Sequence, residues 1–394
     1  MDLISNAWNL IVICLIWVIG LFISVRACSI FMVGWRRAVF LYLWHTIFCV
    51  IYANYVVIFG GDSIDYFDVS VGESVDFSFG TMAVVAFTRL FSYYFNFSLL
   101  SVFLIYNIIG FVGLLAFDGS LQYVSRDKKK FVRVLAGLLV FLPSVSFWSS
   151  AIGKDAFSFM AIGLALWAAA DFNRRVRLMI LAILIMFLVR PHMSGLMVIA
   201  MTVSLLLRGN ISVAKKSILC GLFVVAFSAV VPFAMDYAGL SSFNDFDEYV
   251  EQRQGYNQDG GGGIDISGMS LPMQLFTYLF RPLPFEAHTI FAFAASFDNV
   301  FLIIVFVFGV SGYIKYRKHY KNYITENISF MWIYSLSAWL ILAITTANLG
   351  ISVRQKWMFV PILAFLLISM MGKRTPYGHD RKYGLRSAAP SSHS

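Results

Sequence analysis

Three arginines, Arg190, Arg281 and Arg354, stand where long apolar runs break, in LVRPH, FRPLPFE and VRQKW. A guanidinium at membrane depth is costly unless it faces a cavity or an anionic partner, so three at one level predict a site for a negatively charged, membrane-borne ligand. The planar fork of arginine grips phosphate oxygens two at a time, where lysine acts as a point charge. Lys356 follows Arg354 by two positions, and Lys154 stands beside Asp155 in FWSSAIGKDAF. The competing reading is that each arginine snorkels to the headgroups or pairs with a carboxylate such as Glu286 or Asp155.

Carboxylates supply the second chemistry. Asp62, Asp65 and Asp68 occur in GGDSIDYFD, directly after an apolar run. An ionised carboxylate there can serve as a general base toward a hydroxyl, and Asp62 and Asp65 are the preferred pair. Two aspartates also suit a divalent cation, the one cofactor this spacing leaves open, although no metal centre is predicted. Spacing of i, i+3 and i+6 equally fits a solvated helix face. His192, two residues after Arg190, is placed to donate to a phosphate, and His288 follows RPLPFEA; for both, a packed or interfacial imidazole is the plainer role. Trp148 anchors the interface in front of Lys154 and Asp155, and Asp155 suits the positive end of a starting helix. No HExxH, P-loop, GxSxG or GxGxxG pattern occurs, which removes zinc hydrolases, nucleotide-driven pumps and soluble-type hydrolases.

The elements that position these residues follow from composition. With 59% hydrophobic and only 13% charged residues, the chain has too little polar surface to cover a soluble globule. The fold class is all-α, a polytopic integral membrane protein. Eleven apolar runs qualify as spans, near 8–27, 38–59, 97–117, 132–148, 155–171, 178–190, 193–207, 217–236, 289–313, 327–347 and 357–372. The sixth and seventh meet at Arg190-Pro191-His192 and are either two spans or one broken helix. The first run lacks a basic leader and a small-residue cleavage site, so it reads as a retained helix. Cys14, Cys28, Cys49 and Cys220 all lie in apolar stretches and read as small hydrophobes.

Charge sets the orientation. The net charge of +9 is spread over short loops, the pattern of membrane topology and not of nucleic-acid binding. If those loops and the C-terminal tail are cytoplasmic, only seven of the 30 Lys and Arg lie outside: Arg89, Lys154, Arg190, Arg253, Arg281, Arg354 and Lys356. The N-terminus is therefore predicted outside and the C-terminus inside. One transmembrane domain is expected over 1–372, with outer loops at 60–96 and 237–288 and a basic, disordered cytoplasmic tail at 373–394. The aromatic stretch 87–97 is expected to lie flat at the interface, and the glycine run 260–263 makes the second loop a flap over an outer cavity.

The segments LPSVSFWSSAIGKDAFSFMAIGLAL, LVRPHMSGLM, FRPLPFEAHTIFAFAASFDN and NLGISVRQKWMFVPIL resemble the scattered signatures of bacterial envelope polysaccharide polymerases, the Wzy and EpsG-like membrane proteins. The first outer loop, GGDSIDYF, is similar to that of the wider GT-C class of lipid-linked glycosyltransferases. The resemblance implies a polymerase of the bacterial inner membrane that joins undecaprenyl-pyrophosphate-linked oligosaccharide repeat units on its outer face, beside a chain-length regulator and a flippase. Arg190, Arg281 and Arg354 would hold the pyrophosphate, with Lys154 and Asp155 beside them; Asp62 or Asp65 would activate the acceptor hydroxyl. One departure stands out: the second outer loop carries only Arg253 and Arg281 and is otherwise acidic. Two alternatives remain, a GT-C enzyme adding one sugar from a polyprenyl-monophosphate donor and a lipid-linked glycan transporter.

Overall fold

The computed structural model describes Leu3 and residues 6–72, 76–207, 262–266, 268–320 and 327–372, with four isolated positions between 217 and 228. Most of the predicted span at 217–236, Arg253, the first part of the glycine run and the tail at 373–394 lie outside the described residues. Among the described residues the regular structure is helical, apart from one antiparallel bridge between Gly263 and Asn348.

Helices cover the expected apolar runs that fall among the described residues. They are α1 (Ala7–Ala27), α2 (Trp35–Phe59), α3 (Asp62–Val71), α4 (Thr81–Ser92), α5 (Leu99–Ser125), α6 (Lys130–Leu139), α7 (Pro143–Ser149), α8 (Lys154–Ala170), α9 (Phe172–Val189), α10 (Pro191–Leu206), α11 (Leu271–Phe280), α12 (Ile290–Tyr320), α13 (Ile328–Thr345), α14 (Leu349–Gln355) and α15 (Val360–Met370). Among the described residues six segments are long and apolar enough to cross a membrane: α1, α2, α5, α6 with α7, α12 and α13. A seventh arises if Leu349–Met358 and Val360–Met370, bent by 66°, form one broken span. The chain is thus a multi-pass, all-helical membrane protein.

Eleven full-length spans are not reached among the described residues, and burial gives one reason. α8 has 17 residues, about 26 Å at ~1.5 Å per residue, and is buried almost all round. A helix enclosed on every side belongs to the protein's interior and need not match the hydrocarbon thickness. Its partner is α5, and the two backbones touch: a Cβ added at Gly163 would meet the Gly113 carbonyl oxygen at 2.4 Å. Small residues at a helix crossing allow this approach.

At Arg190 the chain turns back. Ser194 Oγ donates to the Ile183 carbonyl at 3.0 Å, across 11 positions that a continuous helix would separate by about 16 Å. The region 178–207 is therefore a folded-back pair, α9 and α10.

The 60–96 loop is itself structured. Gly60, at φ +75, closes α2, and Asp62 and Asp65 occupy the first turn of α3, where the helix dipole favours carboxylates. Ser70 Oγ meets Ser92 Oγ at 2.7 Å, joining α3 to α4. Arg89 donates to the Ser70 carbonyl at 3.1 Å and also to that of Gly72, so it closes the connection between these helices.

Candidate functional site

Four charged side chains from four separate parts of the chain meet at one end of the bundle. Asp62 opens α3, Asp155 lies in the first turn of α8, Arg190 fills the break between α9 and α10, and Arg354 lies in the last turn of α14. Local sequence prepares each position. Asn348 caps α14, accepting from the Gly350 and Ile351 amides at 2.8 and 3.2 Å, which fixes the helix that carries Arg354. Ser63 Oγ donates to the Ile152 carbonyl at 2.7 Å, tying the start of α3 to the turn before α8.

Asp155 is the shared anion. Arg190 NH2 donates to its Oδ1 at 2.7 Å, and Arg354 Nε donates to its Oδ2. Arg190 Nε also donates to Ser158 Oγ at 3.1 Å, one turn further along α8. Above this buried layer, Arg354 NH1 donates to Asp62 Oδ2 at 2.6 Å. Exposure rises along the relay: Asp155 is 7% exposed, Arg354 21% and Asp62 50%. The buried pair sets the guanidiniums, and the half-exposed Asp62 presents a carboxylate to whatever enters. Arg354 NH2 makes no hydrogen bond among the described residues, which leaves one donor edge unspent.

Aromatic rings line this layer. The Arg354 guanidinium lies over Trp148, 5.7 Å from the ring centroid, and Trp148 packs edge-on against Tyr52. Tyr66, on α3, is pushed up to about 12 by burial first and then by the Asp62 charge, so its hydroxyl stays protonated at neutral pH. Tyr52 and Tyr66 escape sequence reasoning: Tyr52 sits in an apolar run and Tyr66 among the aspartates of GGDSIDYFD, and neither carries a signal until the helices around it are placed.

The expectation that three arginines converge is met for two. Arg281 bonds Glu286 instead, with Nε to Oε1 at 2.8 Å and NH2 to Oε1 at 2.6 Å, and the Leu283 amide donates to the same carboxylate at 2.8 Å. Glu286 lies five residues on, within one tight turn, and a partner so near in sequence costs little chain entropy to engage. Burial alone would raise the Glu286 pKa, but hydrogen bonds from Arg281 and from the Leu283 amide bring it below the ordinary value. Pairing with a carboxylate, the plain alternative to phosphate binding, is therefore what Arg281 does with Glu286, and it is also what Arg190 and Arg354 do with Asp155.

Other predicted residues separate by geometry. Lys356 is fully buried and donates to Asn299 Oδ1, whose amide nitrogen donates to the Pro282 carbonyl at 2.9 Å. Residues two apart on a helix point to different sides, so Lys356 does not share the direction of Arg354. Lys154 donates to Thr81 Oγ1 at 3.0 Å, at the start of α4. Asp65 is exposed one turn beyond Asp62, and His192 is exposed whereas Arg190 is buried. Among the described residues no group of three or more His, Cys, Asp or Glu side chains could hold a metal ion.

A buried polar trio supports the site from below. His45 Nδ1 lies 2.5 Å from Asn107 Oδ1, and its Nε2 lies 2.8 Å from Ser149 Oγ, so α2, α5 and α7 are pinned together next to Trp148. No family model matches the chain, and no curated protein and no solved structure matches it.

Proposed function

We propose that the chain is a membrane glycosyltransferase that joins undecaprenyl-pyrophosphate-linked oligosaccharide repeat units on the outer face of a bacterial inner membrane. Its reaction centre is the Asp62–Arg354–Asp155–Arg190 relay. The observation that supports this reading is the ion pair linking Arg354 to Asp62, 292 positions away, while the same guanidinium holds the buried Asp155. A half-exposed carboxylate fixed by an arginine with a spare donor edge offers two functions in one place. Asp62 accepts the proton of the attacking sugar hydroxyl, and Arg354, backed by Arg190, stabilises negative charge on the departing lipid phosphate. The glycosidic bond to that phosphate breaks as the new one forms. The half-buried Trp148 gives an apolar face for a sugar ring.

In this reading the outer face is the one that carries Asp62, the N-terminus lies outside, and the described helices belong to an eleven-span topology. A chain-length regulator and a flippase would act beside it. Arg281 and Glu286 shape the neighbouring turn and leave the phosphate to Arg354.

The test is elongation of a purified lipid-linked repeat unit by the full chain in detergent, followed by mass spectrometry. The expected product is lipid carrying two or more repeats. Asp62→Asn should slow it by about 100-fold or more, the usual contribution of a general base. Unchanged substrate, as a transporter would leave it, or full activity in Asp62→Asn, refutes the assignment.

A further inference from the structure

The end of α2 opposite the aspartate–arginine relay carries a second charged feature. Arg37 stands in the first turn of α2, and the helix runs 25 residues, about 37 Å, before the chain reaches Asp62. The two features therefore lie at opposite faces of the bundle. Arg37 is clamped by Asp118 of α5: Nε lies 2.9 Å from Oδ2, and NH2 lies 2.7 Å from Oδ1. NH2 also donates to the Gly137 carbonyl of α6 at 3.0 Å. Asp118 is fully buried and Arg37 is 32% exposed, so this pair is internally neutral and fixed in place.

Beside it runs an open groove of about 430 Å³, lined by Arg37, Lys130, Arg133, Val134, Leu138 and Phe141, with Gly137 at its floor. The residues from α6 and its C-terminal end recur at i, i+3, i+4, i+8 and i+11, which is one stripe along a helix. Charge is graded along this stripe. Lys130 and Arg133 stand at the start of α6, both exposed and neither in an ion pair among the described residues. Val134, Leu138 and Phe141 follow along α6 and just past its end, and Phe141 packs under the Arg37 guanidinium at 5.3 Å. The free amides at the start of α6 add partial positive charge at the same mouth. Asp118 is already matched by Arg37, so Lys130 and Arg133 are uncompensated within the groove.

We propose that this groove binds an anionic phospholipid, with its phosphate held by Lys130 and Arg133 and an acyl chain lying along Val134, Leu138 and Phe141. A free phosphate would use the cations but not the apolar half. A zwitterionic lipid would use the apolar half but gain little from two uncompensated cations. Only an anionic amphiphile matches both halves in the order they occur along α6. The proposal does not depend on the reaction assigned to the other face.

The test uses the full chain in detergent, titrated with dioleoylphosphatidylglycerol, with bound lipid counted by native mass spectrometry. Each surface cation near an anionic headgroup contributes about fivefold in affinity, so Lys130→Gln/Arg133→Gln should weaken binding by about 25-fold. Lys129→Gln removes an exposed charge next to the groove but outside its lining and should leave binding within about twofold. Leu138→Gln should also weaken it, and dioleoylphosphatidylcholine should compete poorly. All four positions are exposed, so the variants keep their folded helix. The proposal is overturned if the double variant binds like the wild type, if Lys129→Gln matches Lys130→Gln, if phosphatidylcholine competes equally, or if millimolar inorganic phosphate displaces the lipid.

Discussion

Replacing Asp155 by Asn removes one negative charge from beneath two guanidiniums while keeping the side-chain shape. Asp155 is 7% exposed and Arg190 9%, and the second partner of Arg190 is the neutral hydroxyl of Ser158. Breaking a buried ion pair by removing one member costs about 3–5 kcal/mol, because the surviving charge is left without compensation. Two features hold this variant near the lower end, about 3 kcal/mol: Arg354 keeps Asp62, and the amide oxygen that replaces the carboxylate still accepts one hydrogen bond. Asp62→Asn is the internal control. Its carboxylate is 50% exposed, so its loss should cost no more than about 1 kcal/mol. The assay is reversible unfolding in mixed micelles by a denaturing detergent, with helix content followed by circular dichroism. A gap of about 2 kcal/mol or more between the variants is expected. If both variants unfold together, within about 0.5 kcal/mol of the wild type, Asp155 is not a compensated buried anion and the layered relay is wrong. Arg190→Met combined with Asp155→Asn should recover part of the loss, since a buried pair replaced as a whole leaves no orphan charge.

Further consequences concern packing and pH. Gly163→Ala should destabilise by about 1–3 kcal/mol in the same assay, because its methyl group would meet the Gly113 carbonyl of α5 at 2.4 Å; a neutral result would mean that α5 and α8 can separate freely. His45→Leu should cost about 1–3 kcal/mol by leaving Asn107 and Ser149 without their shared imidazole, and wild-type stability in that variant would remove the trio as a support of the site. Glu286 has a folded-state pKa below its ordinary value of about 4.5, so its contribution is fully present above that value and is lost as pH falls through the depressed one. Protection of the Leu283 amide, its exchange rate relative to the intrinsic rate at the same pH, should therefore fall at acid pH in the wild type, whereas in Glu286→Gln protection should be low throughout and should not change with pH. Equal acid sensitivity in both chains would show that the Arg281–Glu286 pair does not hold the turn.

Much of this molecule is legible before any coordinates. Apolar runs with the right lengths name the helices, because hydrocarbon and helix interiors both demand internally satisfied backbones. The breaks at Arg190 and Arg354 and the acidic start of α3 stand out for the same reason, since charge amid apolar sequence is expensive. Which arginine pairs with which carboxylate was not legible. Arg281 finds Glu286 within its own turn, whereas Arg354 reaches across 199 positions to Asp155, and nothing local distinguishes the two. Lys356 looks like a companion of Arg354 because the two are neighbours in sequence, yet helical geometry sends it into the interior.

The sequence by itself determined the class of the protein, the positions of most helices and the side chains too costly to be accidental, because hydropathy and charge are properties of residues and need no partner to be evaluated. Tertiary structure alone decided that α9 and α10 fold back on each other, that α8 is an enclosed interior helix, and that Asp62, Asp155, Arg190 and Arg354 share one relay while Arg281 stands apart. Those outcomes depend on distances between segments up to 292 positions apart, and such distances are set by the simultaneous packing of the helices in the bundle.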